Sequence, residues 1–202
     1  MPSLHWSPKS PYVRKVMVCA HELGIVDRLT LVRSVAAMLR PNAALMQVNP
    51  LSKIPALVLD DGRTLFDSAV ICEYLNDTAG GSLFPSRGDA KWQALRWQAL
   101  GDGLLDMLIL WRNERERDHP LAALLSAFEL QTRTPLVQLD HEAGSLAEAP
   151  FSIGQVTLAC ALAYLDYRFD AFGWRAQAPR LAAWHARVAT RPSFVATAPV
   201  EG

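Results

Sequence analysis

Ser10-Pro11-Tyr12-Val13-Arg14-Lys15 follows a short apolar run and opens a stretch in which Val13, Val16, Met17, Ala20 and Leu23 recur at helical spacing. Proline suits the first helical position, where its missing N–H leaves no hydrogen bond unmade, so Ser10 reads as the N-cap. Such a cap contributes about 1 kcal/mol. A serine hydroxyl has two acceptor lone pairs and one proton, so it can accept a helix N–H and still donate elsewhere. The exposed N–H groups and macrodipole of a helix N-terminus favour an anion at that place. Ser7, also followed by proline, is a rival donor.

Outward from this segment, strands and helices alternate. Leu4-His5-Trp6 precedes it as a short strand, Gly24 stops the helix, and Leu29 to Val32 reads as a second strand. Residues 36–48 are weakly helical and interrupted by Pro41. Ala56 to Leu59 is a third strand, Asp60-Asp61-Gly62-Arg63 a hairpin turn, and Thr64 to Phe66 the returning strand. Asp67 or Ser68 then caps a helix whose apolar face carries Ala69, Ile71, Cys72 and Leu75. The order βαβαββα, a crossover followed by a hairpin, predicts a mixed sheet covered by helices.

Residues 78–87 form a linker rich in glycine, after which the pattern is helical. Trp92, Leu95, Ala99, Leu104, Leu105 and Leu108 predict one long helix, bent near Gly101 and Gly103. Leu121 to Leu139 predicts another. Ser152 with Gln155 three residues on is a capping box for a helix running to about Phe169, with Phe151 stapling onto Val156. Pro179 to Thr190 reads as the last helix, stopped before Arg191-Pro192. The fold class is therefore α/β plus all-α, with one domain at 1–77 and a second at 88–202.

The 202 residues are half hydrophobic, and lysine plus arginine equal aspartate plus glutamate at 20 each. This balance exerts no electrostatic pull on nucleic acid or an acidic membrane. No apolar run is long enough to span a bilayer, and Met1 to Trp6 has neither the basic nor the apolar region of a secretory signal, so a cytoplasmic protein is expected. Three scattered cysteines, Cys19, Cys72 and Cys160, each lie in an apolar helical pattern and read as buried thiols. Neither they nor the five histidines have metal-ligand spacing, and no metal is expected. Arg112 to Asp118 alternates in sign and reads as a solvated helix end.

Two further segments can complete a small-molecule site around Ser10. Ile54-Pro55 opens the third strand. Most X–Pro bonds are trans; a cis bond here would turn the Ile54 backbone groups outward toward an extended, peptide-like ligand, with Lys53 near its carboxylate. Asp67 can hold an ammonium, while Ser68 and the helix N-terminus behind it can hold a carboxylate; together these suit an amino-acid head group. Ordinary capping and loop roles account for each segment taken alone. In combination they suggest an enzyme that activates a bound thiol.

SPYVRKV (10–16), NPLSKIPAL (49–57) and FDSAVICEYL (66–75), followed by a linker and a helical half containing FSIGQVTLACALAYLD (151–166), resemble the glutathione S-transferase family over nearly the whole chain. The resemblance is to bacterial cytosolic members of serine type. It implies a thioredoxin-like N-terminal domain, a helical C-terminal domain and glutathione as co-substrate. Ser10 would donate to the glutathione sulfur, Ile54 would bond the cysteinyl backbone with Pro55 cis, Lys53 would approach the glycyl carboxylate, and Asp67 with Ser68 would hold the γ-glutamyl end. It also implies a homodimer in which Asp102 reaches the partner's glutathione, and a small hydrophobic electrophile bound near Tyr12, Met107 and Trp111 in the cleft between the domains. Trp111 also reads as a core or interface tryptophan.

Asp67 stands where relatives often carry glutamate, and Gln155 where the capping box usually has aspartate. A serine replaces the site tyrosine or cysteine of other classes, and without a site cysteine glutathione-disulfide exchange is disfavoured. The expected reaction is thioether formation by glutathione thiolate, a detoxification chemistry. Glutathione-dependent isomerisation or dehalogenation, and a non-catalytic interaction module on the same scaffold, remain alternatives.

Overall fold

The computed structural model describes residues 1–200. The first half runs β1 (Ser3–Trp6), α1 (Pro11–Glu22), a 3-10 turn at Val26–Arg28, β2 (Thr30–Arg33), α2 (Ala43–Met46), β3 (Ala56–Val58), β4 (Thr64–Leu65) and α3 (Ser68–Thr78). The order is the βαβαββα of the sequence pattern, with α2 confined to one short turn after Pro41. The four strands lie in the order β2-β1-β3-β4. β1 is parallel to β2 and antiparallel to β3, and β3 is antiparallel to β4. This is a mixed sheet of thioredoxin-like form.

Local chemistry sets the element ends. At the end of α1, Gly24 takes φ +66°, its N–H donates to His21 O at 3.1 Å, and Ile25 N–H donates to Ala20 O at 2.9 Å. That pairing is a Schellman motif, which needs a left-handed residue at this position. In the β3–β4 hairpin Gly62 has φ +85° and Asp61 Oδ1 accepts Arg63 N–H at 3.0 Å. Leu4, Val16, Leu57, Ile71 and Cys72 are completely buried and form the centre of this unit.

Helix α1 is buried more widely than one apolar stripe predicts. Lys15, Val18 and Cys19 are buried, whereas Met17 and Leu23 are half-exposed. A helix not foreseen from the sequence, α9 (Pro192–Ala196), covers part of α1. It packs on α1, where Arg14 Nη2 donates to Phe194 O at 3.1 Å, the guanidinium lies over the Phe194 ring, and Ser193 Oγ donates to Glu22. The chain forms two compact units, Met1–Phe84 together with the segment from Pro192 onward, and Pro85–Arg191.

The second unit contains α4 (Gly88–Arg115), α5 (Ala122–Glu148), α6 (Ile153–Arg168), a 3-10 turn at Asp170–Phe172, α7 (Trp174–Gln177) and α8 (Pro179–Ala189). α4 is continuous through Gly101, and that glycine serves close approach to α6. A Cβ there would lie 2.8 Å from Thr157 Cγ2 and 3.0 Å from Leu158 N on α6. Gly154 is the reciprocal contact: its Cβ would meet Ala94 O at 2.7 Å and Trp97 Cβ at 2.8 Å. α5 extends past Leu139 because Asp140, Ala143 and Leu146 continue its buried face. Asp140 then caps a distant element, accepting Leu181 N–H of α8 at 2.9 Å and Arg180 Nε at 3.1 Å. The predicted capping box opens α6, with Gln155 Oε1 accepting Ser152 N–H at 3.0 Å.

Candidate functional site

Topology brings the three sequence segments to one end of the sheet. β1 ends at Trp6 and runs through Ser7–Lys9 into the N-terminus of α1. β1 and β3 run antiparallel with His5 facing Ala56, so Trp6 and Ser7 leave the ladder at the end where Ile54-Pro55 leads into it. β3 and β4 are antiparallel with Leu57 facing Leu65, so the chain leaves β4 toward Asp67 at that same end of the sheet. Ser10, Ile54-Pro55 and Asp67-Ser68 thus border a single edge of the first unit.

Ser10 is the N-cap of α1 with extended backbone (φ −82°, ψ 119°), and its Oγ accepts the Val13 N–H at 3.3 Å. Pro11 occupies the first helical position. Ser10 N–H donates to Ser7 O at 3.2 Å, which closes the loop between strand and helix. Ser7 Oγ accepts from Arg33 Nη1 at 3.1 Å and from Lys9 N–H at 3.5 Å.

The Ile54–Pro55 bond is cis. Its approach is held by Asn49, a buried residue with no part in the site expected from the sequence. Asn49 Nδ2 donates to Lys53 O at 2.9 Å and Oδ1 accepts Leu51 N–H at 3.1 Å. The second bond is an Asx-turn, which an asparagine followed by proline in a loop could have signalled. Ser52 adds a left-handed φ of 53° and accepts Asn42 N–H on its Oγ at 2.9 Å. The Lys53 side chain is exposed.

Asp67, rather than Ser68, is the N-cap of α3; its Oδ1 accepts Ala69 N–H at 2.9 Å and its side chain is exposed. The Phe66–Asp67 bond is also cis. Ser68 is buried. Tyr12 lies half-buried in the first turn of α1.

The remaining candidates lie on α4. Asp102 and Met107 are half-buried there. Trp111 is buried and packs against Phe169 and Phe172, with ring centroids 4.7 and 5.5 Å away. An open depression of about 490 Å³ in the same unit is lined by Gln93, Arg96, Trp97, Glu142 and Ser145 and includes none of the predicted site residues. All three cysteines are buried and none forms a disulfide. Among the described residues no group of histidine, cysteine, aspartate and glutamate is placed to hold a metal, and no helix is long and apolar enough to cross a membrane.

Residues 9–78 match the model of the glutathione S-transferase N-terminal domain, and residues 122–187 that of the C-terminal domain. A glutathione transferase family member from Pseudomonas fluorescens Pf-5, solved with bound glutathione, is 42% identical with a TM-score of 0.96, covering 100% of both chains. A second structure of a family member from that organism, 40% identical with a TM-score of 0.91 and covering 99% of this chain and 100% of the other, holds S-(propanoic acid)-glutathione. A glutathione S-transferase from Methylobacillus flagellatus KT with glutathione bound is 33% identical with a TM-score of 0.87, again covering 99% and 100%. The uncharacterized GST-like protein YibF of Escherichia coli K12 is 29% identical over 94% of this chain and 95% of its own. With both domain models matched in order along the described fold, the chain belongs to the glutathione S-transferase family.

Proposed function

We propose that this chain is a glutathione transferase that holds glutathione as its thiolate beside Ser10 and adds it to a small, apolar electrophile. The observation that carries the reading is the state of the Ser10 hydroxyl. Its oxygen accepts the Val13 N–H, so its proton is left to donate, at a helix N-terminus that favours an anion. The glutathione held by the Pseudomonas and Methylobacillus proteins supports the same ligand here, and the S-substituted glutathione in the former supports chemistry at sulfur.

In this reading Ser10 lowers the thiol pKa. A tenfold gain in the ratio of thiolate to thiol corresponds to about 1.36 kcal/mol in favour of the anion. The sulfur then attacks an electrophilic carbon; a C–S bond forms as the leaving group, or a π-electron pair, departs from that carbon. Ile54 pairs with the cysteinyl backbone, and Lys53 faces the glycyl carboxylate. Asp67 takes the γ-glutamyl ammonium while Ser68 and the start of α3 take its carboxylate. Tyr12, Met107 and Trp111 keep the assignment to the electrophile's apolar wall that the resemblance gives them. The protein acts as a cytoplasmic homodimer, with Asp102 of the partner subunit reaching the glutathione amino group, in a detoxifying role.

The test is glutathione binding with ultraviolet thiolate absorbance followed across pH, on wild type and Ser10→Ala. A depressed thiol pKa that rises in the variant, with affinity kept within a few-fold and conjugation slowed, is the expected result. Ser10→Ala that leaves the rate untouched while Ser7→Ala abolishes it removes Ser10 from the role.

A further inference from the structure

Arg33 is the last residue of β2 and lies beside Trp6, its parallel partner and the last residue of β1. Its side chain is exposed, yet it is held in one direction. The guanidinium carbon sits 6.0 Å from the Trp6 ring centroid, and Nη1 donates to Ser7 Oγ at 3.1 Å. The neighbouring Lys9 N–H points at the same oxygen from 3.5 Å. A hydroxyl has two acceptor positions and one proton. With two N–H groups directed at its acceptor positions, Ser7 keeps only its proton for any further partner. An oxygen that accepts from a cation is also a stronger donor, because hydrogen bonds in a chain polarise one another.

Ser7 leaves β1 at the end of the sheet where Ile54 leads into β3, and its carbonyl accepts the N–H of Ser10. We infer that Arg33 is a positioning residue that turns the Ser7 hydroxyl into a second donor to the glutathione sulfur, supplementing Ser10. The inference rests on the glutathione-thiolate reading above. Arg33 acts through Ser7, and its contribution vanishes when the Ser7 oxygen is removed.

The test is a double-mutant cycle on the full chain, reading the thiol pKa of bound glutathione by thiolate absorbance. Arg33→Met and Ser7→Ala are each expected to raise that pKa by about half a pH unit, a roughly threefold lower thiolate fraction below it. The double variant is expected to match Ser7→Ala alone. A double variant in which the two increases add shows Arg33 acting as an independent charge and overturns the inference. So does an unchanged pKa in Arg33→Met when the wild-type protein binds glutathione with a depressed pKa; that result leaves the Ser10 reading intact. A wild type that binds glutathione with an ordinary thiol pKa refutes the thiolate reading, and this inference with it.

Discussion

Replacing Gly154 by alanine puts one methyl group into the contact between α6 and α4. The new Cβ would lie 2.7 Å from Ala94 O, 2.8 Å from Trp97 Cβ and 3.3 Å from Ala94 Cα. Two of these atoms are backbone and the third is fixed directly to it, so no side-chain tip can swing aside. Relief requires the two helices to separate by several tenths of an ångström along a buried face. Overpacking of this kind costs about 1–3 kcal/mol, and the rigid neighbours place it near the upper end. Alanine returns up to about 1 kcal/mol through its higher helix propensity. The expected net loss is about 2 kcal/mol, a fall in Tm of roughly 4–8 °C for a chain of this size. Gly144→Ala is the control, because Gly144 lies exposed within α5 and its Cβ would meet nothing within 4 Å. It gains propensity without a clash and should raise Tm by roughly 2–4 °C. Thermal and denaturant unfolding followed by circular dichroism compare the two. If Gly154→Ala is as stable as Gly144→Ala, close backbone approach is not what the glycine provides and the packing argument fails.

Asp140→Ala should destabilise the second unit by about 2 kcal/mol at neutral pH, since it removes bonds from a carboxylate to the Leu181 N–H and the Arg180 guanidinium. Burial raises the Asp140 carboxyl, but the Leu181 N–H and Arg180 together outweigh it and hold the group below the ordinary carboxylate range. Its stabilisation is therefore present above about pH 4 and lost as pH falls through the lowered value, so denaturant midpoints of wild type and variant should converge in acid. Asp67→Ala should weaken glutathione binding more than it slows turnover; calorimetry showing unchanged affinity removes Asp67 from the site. Native protein should resist thiol alkylation at Cys19, Cys72 and Cys160, all buried, and react fully once unfolded; rapid labelling of Cys19 in the native state would contradict this burial.

The amino-acid sequence alone was enough wherever the deciding interaction spans a few residues. Ser10 before Pro11, Gly24 after α1, Asp61-Gly62 in the hairpin and Ser152 with Gln155 each settle an element end through a bond to a group no more than four residues away, and each was legible. Strand and helix order through α3 followed from the same local signals, and so did the candidate residues Ser10, Ile54 and Asp67. Tertiary structure decided what those residues face. Sheet order and strand direction, which depend on strands meeting across long separations, bring Ser7, Ile54-Pro55 and Asp67 to the same end of the sheet. Packing set the rest: Asp140 caps a helix 41 residues on, and Arg14 reaches Phe194 across 180 residues to seat α9. Gly101 makes a close contact with α6 that its sequence neighbourhood does not reveal, and Arg33 gives no sequence signal because its partner Ser7 lies 26 residues back on another strand's exit. A cap is set by the geometry of one turn of chain. A contact between elements exists only after the hydrophobic core has chosen how they lie together.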